Sequence, residues 1–431
     1  MEKKRIENQP IANAKYPGFE DLSSLNAVKI RSGFPLSDDK NRTDESILIH
    51  LTITGRCYAR CKGCINSAVT MGSDEPRNSV MTSLEAEPER DAAIIEELAG
   101  RHPAQTITVC FYGGEPFLAS GKMERTWRIL KESDAANRFR FMVYTNGELL
   151  SNALNFYPGF MKSMWLYSIS IDGDEEQHNR IRQGTSLSKI KKNLRELSDF
   201  YTGYVLFWST LREEQSLINC FEEFLRLYRE GLVNHFFWHW AESRESFSDF
   251  QSYILKYGQE LEKIMDVYVQ KILEGELLPV IHINELILFL ITARERGHTA
   301  CGVELAKNYD IVSGKLYTCA DLPSSLSIGE MGKNGRLKLR EYDLNSLVEY
   351  KKWLGCYRCG IHPYCGGRCP VQVIAGSRER TYQICQLMRL HVGIVQKRIF
   401  EILKGLKKNK ISLQDIYDQS AFMAKYTDVV P

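Results

Sequence analysis

Between residues 47 and 242, six β-rich runs alternate with helical stretches, and no other feature of the chain restricts its fold as much. The runs are "ILIHLTIT" (47–54), "TITVCFYGG" (106–114), "RFRFMVYTNG" (138–147), "MWLYSISIDG" (164–173), "GYVLFWST" (203–210) and "NHFFWHWAE" (234–242). Helical spacing fills the gaps: "PERDAAIIEELAG" (88–100) with its closing Gly100, "KMERTWRILKES" (122–133), and stretches at about 187–200 and 214–230. Strands kept apart by helices cannot join through tight hairpins. They need crossovers, which are right-handed and give a parallel sheet. Six units fall short of a complete eight-stranded barrel, so the sequence predicts an α/β fold built on a partial (β/α)6 barrel. Several runs end in Gly or polar clusters, as expected where loops build a site at the C-terminal edge of the sheet.

Cysteine placement is the second constraint. Cys57, Cys61 and Cys64 share one loop; Cys301, Cys319, Cys356, Cys359, Cys365, Cys369 and Cys385 gather late in the chain. Cys110 and Cys220 stand apart in apolar runs and read as small buried hydrophobes. The N-terminus, "MEKKRIENQP", lacks the apolar core of a signal peptide, and no run approaches the ~18 apolar residues of a membrane span. The most apolar stretch, "LPVIHINELILFLITA" (278–293), carries His282, Asn284 and Glu285 and reads as a buried or amphipathic helix. A reducing cytoplasm is therefore expected, where clustered thiols hold metal rather than disulfides. With 56 basic against 54 acidic residues, the charge balance gives no signal for a nucleic-acid or membrane partner.

The loop "GRCYARCKGC" (55–64) has the spacing C-x3-C-x2-C. Three thiolates can hold three irons of a [4Fe–4S] cluster and leave the fourth open to a ligand with an amine and a carboxylate. A structural zinc site, which wants four ligands, is the competing reading. "YGGEP" (112–116) ends the second run, where Gly113 and Gly114 permit close backbone approach and Glu115 offers a carboxylate to an ammonium group. "SISIDG" (168–173) ends the fourth and leads into "EQHNRIRQG". There Ser170 can bond a ribose hydroxyl and Arg182 a carboxylate.

Together these motifs resemble the radical S-adenosylmethionine (SAM) enzymes, in the branch that carries a SPASM domain. The resemblance implies that Cys57, Cys61 and Cys64 hold the SAM-binding cluster and that Gly113, Gly114 and Glu115 receive the methionine amine. It gives Ser170 and Arg182 further cofactor contacts, with His178 and Asn179 completing their pattern. One departure is visible: the position before the third cysteine, usually aromatic in the family, is Gly63, so adenine contacts fall to other residues such as Tyr58. The later cysteines match the SPASM order in full, as C-x12-G-x4-C over Cys301, Gly314 and Cys319, then C-x2-C-x5-C-x3-C from Cys356 to Cys369, closed by Cys385. Seven thiolates do not divide into four-coordinate zinc sites. By resemblance, Cys356, Cys359, Cys365 and Cys385 hold an outer auxiliary cluster, and Cys301, Cys319 and Cys369 an inner one. That makes three [4Fe–4S] clusters, with the inner one a ligand short. His298 could complete it; otherwise water or substrate takes the place.

The chain divides into a lead-in (1–46), the barrel (47–245), a helical linker (246–300), the SPASM domain (301–385) and a C-terminal helical tail (386–431) with an amphipathic run at 387–408. The resemblance implies reductive SAM cleavage to a 5′-deoxyadenosyl radical and hydrogen abstraction, mostly from ribosomally made peptides that become crosslinked, oxidised or epimerised. It also implies an electron donor such as flavodoxin or ferredoxin, and a separate leader-peptide-binding protein, since the lead-in is too short for a winged helix. Sulfatase-maturing members place an Asp directly after the cysteine corresponding to Cys319. Here Ala320 follows, and Asp321, one place later, is the catalytic candidate. His239 and Glu242 become substrate-contact candidates if they reach the barrel mouth. Oxidation or rearrangement of a small metabolite or tetrapyrrole is the alternative enzymatic reading. A zinc-binding interaction protein is the non-enzymatic one.

Overall fold

The structure, a computed structural model, describes residues 46–65, 83–305, 308–319, 321–322, 324–332 and 335–427. The expected lead-in, apart from Ser46, lies outside the described residues, as does Ala320. Strands form where the six runs predict them: β1 (Ile47–Thr54), β2 (Ile107–Gly113), β3 (Phe139–Thr145), β4 (Leu166–Ser170), β5 (Tyr204–Leu211) and β6 (His235–Trp240). They lie side by side in chain order, each parallel to the next. Helices α1 (Pro88–Arg101), α2 (Ser120–Glu132), α3 (Leu150–Phe156), α4 (Leu187–Ser198) and α5 (Leu217–Arg229) occupy the crossovers.

The two-residue period of a strand sorts the side chains. Ile47, Ile49, Leu51 and Ile53 of β1 join the helix layer with Ile94, Ile95 and Leu98 of α1, while Leu48 turns into the barrel. In α5 the spacing of Leu217, Cys220, Phe221, Phe224 and Leu227 puts one apolar face on the sheet. Each such side chain contributes roughly 1.5–3 kcal/mol when fully buried. On β6, Trp238 and Trp240 point to the helix layer, and Phe237 into the barrel beside Cys110.

The segment expected as a linker is part of the core. It contains α6 (Phe250–Glu274) and α7 (Ile281–Thr292). Phe236 N donates to Pro279 O (3.0 Å), so the approach to α7 pairs along the free edge of β6. His282 and Asn284 are buried with partners: His282 Nε2 bonds Trp238 O (2.6 Å), and Asn284 Nδ2 donates to Ser420 Oγ (2.7 Å).

The cysteine-rich part continues the barrel sheet. β7 (Asn308–Val312) pairs parallel to β1 with Leu48 opposite Asn308 and His50 opposite Asp310. β8 (Lys315–Tyr317), β9 (Gly329–Met331) and β10 (Leu337–Leu339) add antiparallel, giving a ten-stranded sheet. The expected boundary at 301 therefore lies a few residues before a strand of that same sheet. The amphipathic run at 387–408 is two helices, α8 (Arg378–Lys397) and α9 (Ile399–Asn409), broken at Arg398. Beyond them, a 3-10 turn (Ala421–Tyr426) fills the lower barrel. Met423 and Tyr426 pack there against Leu48, Met142, Leu206 and Phe237.

Candidate active site

β1 ends at Thr54, and the chain turns into the three-cysteine loop. Both flanks of that loop are pinned. On one side, Gly114 N donates to Thr54 O (2.7 Å) and Glu115 N to Arg56 O (2.9 Å). Gly113 has φ +125°, and a Cβ there would stand 2.4 Å from Thr54 O, so this close approach requires glycine. On the other side, Cys61 pairs with Arg182 in a two-residue antiparallel bridge, and Lys62 N donates to Ile181 O (3.0 Å).

Behind the bridge lies Asp172, fully buried. It accepts from Arg182 Nε (2.7 Å), Arg212 Nη1 (2.8 Å) and Thr210 N (2.9 Å). Burial pushes its pKa up, but the two guanidiniums outweigh that and hold the carboxyl below its usual range. Arg212 Nε donates to Lys62 O (2.6 Å), tying the cysteine loop to the end of β5. His178 supports this turn as a neutral ring: burial drives its pKa down to about 3, and its Nδ1 accepts from Asp172 N (3.2 Å). Asn179 Oδ1 accepts from Leu187 N (3.0 Å). These two shape the segment that presents Arg182.

One cavity spans both cysteine fields. Cys57, Cys61 and Cys64 line it together with Cys301, Cys319 and Cys369, and Gly113, Gly114, Ser170, Arg182 and Asp321 face the same space. Its aromatic wall runs from His50 to Tyr144 (ring centroids 5.8 Å), Trp208 (5.0 Å) and His239 (5.5 Å). His50 Nδ1 lies 3.4 Å from Asp310, and His239 Nδ1 3.5 Å from Glu242, so the two substrate-contact candidates do reach the cavity. Burial raises the Glu242 carboxyl, yet His239 leads the effects that hold it below the usual range. Burial pushes the Tyr112 phenol well up, and so does charge on Asp321, Cys64, Asp310 and Cys319. Its neighbours therefore come from both cysteine fields.

Residues 51–214 match the family model of the Radical SAM superfamily. This part of the chain belongs to that superfamily. Similar solved structures include native anSMEcpe, an anaerobic sulfatase-maturing enzyme, with bound AdoMet (16% identity, TM-score 0.64, covering 83% of this chain and 99% of that one). Another is native anSMEcpe with AdoMet and Cp18Cys peptide (16%, TM-score 0.63, 84% and 99%). Streptococcus suis SuiB bound to precursor peptide SuiA is more distant (14%, TM-score 0.47, 78% and 74%). At such identities the anSMEcpe likeness shows the fold alone, a partial α/β barrel whose sheet runs on into the cysteine-rich part. No curated protein matches the chain.

The radical SAM family implies a [4Fe–4S] cluster and SAM, and the residues present fit both. All twelve cysteines are free thiols. Among the described residues, no three His, Cys, Asp or Glu side chains converge as they would on one ion, whereas a cluster spreads its thiolates over several irons. A second cavity gathers Cys356, Cys359, Cys365 and Cys385, with Arg389 Nη2 3.6 Å from Cys359 Sγ. The seven late cysteines thus divide into three and four, the same grouping that the resemblance implies. Burial pushes the Cys356 thiol up to about 12, so loading metal must displace protons.

Three expected residues stand elsewhere. Tyr58 does not line the cavity; its hydroxyl donates to Asn146 Oδ1 (2.8 Å). Glu115 is buried behind the wall, where it accepts from Thr145 Oγ1 (2.8 Å), Asn146 N (2.8 Å) and Phe117 N (3.1 Å). Its carboxylate ties the end of β2 to the end of β3. His298 bonds the Thr299 carbonyl (2.6 Å) outside the cavity lining and is not placed among the inner cysteines. Beside Gly63, Arg212 occupies the flank, 3.6 Å from where a Cβ would sit. The sequence reading overlooked Asp172, Arg212, Asp310 and Asn146. Their signal was only a polar residue in or just after a strand, since their partners lie far away in sequence.

Proposed function

We propose that the protein is a radical SAM enzyme that modifies a ribosomally made peptide by crosslinking, oxidation or epimerisation. The observation that carries this reading is the single cavity lined by the first three cysteines, by Cys301, Cys319 and Cys369, and by Asp321. The cluster and SAM, when bound and reduced, supply a 5′-deoxyadenosyl radical able to abstract hydrogen from an unactivated carbon. Cys57, Cys61 and Cys64 hold that cluster, while the three inner and four outer cysteines hold two auxiliary ones.

The chain itself binds and orients. Backbone at Gly113 and Gly114 meets the methionine amine, Ser170 bonds a cofactor hydroxyl, and Arg182 receives the carboxylate. Asp321 accepts a proton from the substrate at its carboxylate. His239 and Glu242, which line the same cavity as Asp310 and His50, contact the substrate. A peptide substrate is supported by the anSMEcpe structure with a bound peptide, whose fold this chain shares. Implied partners are a one-electron donor of flavodoxin or ferredoxin type and a separate leader-peptide-binding protein.

Anaerobically reconstituted protein is expected to hold roughly twelve irons and, with reductant, to release 5′-deoxyadenosine from SAM. Replacing Cys57, Cys61 and Cys64 by Ala should abolish that release and leave about eight irons. Zinc in place of iron, or product from the triple variant, would overturn the reading.

A further inference from the structure

We infer that Asn146 binds the SAM cofactor, donating from its side-chain Nδ2 to one of the cofactor's oxygens. The inference rests on the cofactor part of the reading above and adds a residue to it. Asn146 follows β3, is 7% exposed, and lines the cavity with Gly113, Gly114 and Thr145. Its oxygen is engaged twice, by Tyr58 Oη (2.8 Å) and by Glu148 N (3.0 Å). A backbone N–H can only donate, so the second bond fixes which end of the amide is oxygen. The backbone of Asn146 is fixed as well, through Asn146 N to Glu115 Oε2 (2.8 Å).

What remains is Nδ2, buried and without a hydrogen-bond partner among the described residues. A donor locked in that state costs free energy, and native proteins leave few such groups without a ligand or water. Here the lock has an evident use. Two of the residues first expected to touch the cofactor, Tyr58 and Glu115, converge on Asn146 instead. They hold it at the cavity wall, Tyr58 through the side-chain amide and Glu115 through the backbone, just past the end of the strand that pairs with the one carrying Ser170. SAM offers carboxylate and ribose oxygens as acceptors there, and a preorganised donor loses little entropy in meeting one. Tyr58 and Glu115 are then positioning residues.

The test is equilibrium dialysis of SAM, without reductant, against anaerobically reconstituted protein. Asn146→Asp keeps acceptors for Tyr58 and Glu148 but turns the donor into an acceptor. It should loosen SAM binding roughly ten- to hundredfold while iron content stays at the wild-type level. Tyr58→Phe, which frees the amide to turn, should loosen it by a smaller factor. An Asn146→Asp protein with wild-type affinity overturns the inference. If that variant loses its irons or fold, a crystal structure of the wild type with SAM decides: a cofactor oxygen within hydrogen-bonding distance of Nδ2 supports the assignment, and water or nothing there overturns it. Wild-type protein that binds no SAM at all would remove the cofactor reading itself, a result distinct from both.

Discussion

Asp172 is fully buried with two guanidiniums against it, so its charge belongs to the architecture of the site. Removing one member of a buried ion network leaves the others desolvated and poorly paired, which costs about 3–5 kcal/mol. Asp172→Asn should lower stability by about that amount at neutral pH, read from urea unfolding. The pH dependence has a definite sign. Because the folded pKa is depressed, this stabilisation is complete above the unfolded value of about 4 and is lost as pH falls through the lower folded value. The Asn variant should therefore lack one component of the wild type's acid destabilisation; identical acid limbs would show that Asp172 carries none of it. Glu115 is also built into the site, as a buried carboxylate whose hydrogen bonds set the positions of Thr145 and Asn146.

The cysteine loop has little regular structure of its own and takes its shape from the elements that grip it. Arg212 at the end of β5 holds the Lys62 carbonyl, and the Arg182 segment pairs with Cys61. Arg212→Gln should therefore make about four of roughly twelve irons labile to dialysis while the rest stay bound. Uniform loss, or none, would refute this role. The grip explains what the sequence did and did not disclose. β1 to β6 and the helices α1, α2, α4 and α5 were legible because apolar period and turn residues are local signals, whereas the seven-residue α3 was too short to be read; the cysteine, Gly-Gly-Glu and Ser-x-Asp-Gly motifs were legible because each is short and contiguous. β8, β9 and β10 have only three residues each, too few to show a period. The hydrogen bonds of Tyr58, Glu115 and Arg212 run to partners 88, 31 and 150 residues away, which no window along the chain reveals.

At the scale of the whole molecule, the tail is the floor of the barrel. Tyr426 packs with Met423 beneath the cavity, its ring 4.7 Å from that of Trp165, and Arg140 donates to its hydroxyl. Tyr426→Ala should cost roughly 3–5 kcal/mol of stability yet leave SAM affinity unchanged, because the cofactor residues sit at the other end of the strands; a parallel loss of affinity would show that floor and site are coupled. The placing of β7 has a different kind of consequence, in how the protein comes into being. β1 leaves the ribosome long before β7, yet the two pair, with Leu48 against Asn308, and Ser46 reaches Tyr426 across 380 residues. Contacts this distant in sequence form late and slowly. The cavity that both cysteine fields share cannot exist until the chain has been synthesised past Cys369, so delivery of iron and sulfur to it must wait for the late cysteine field.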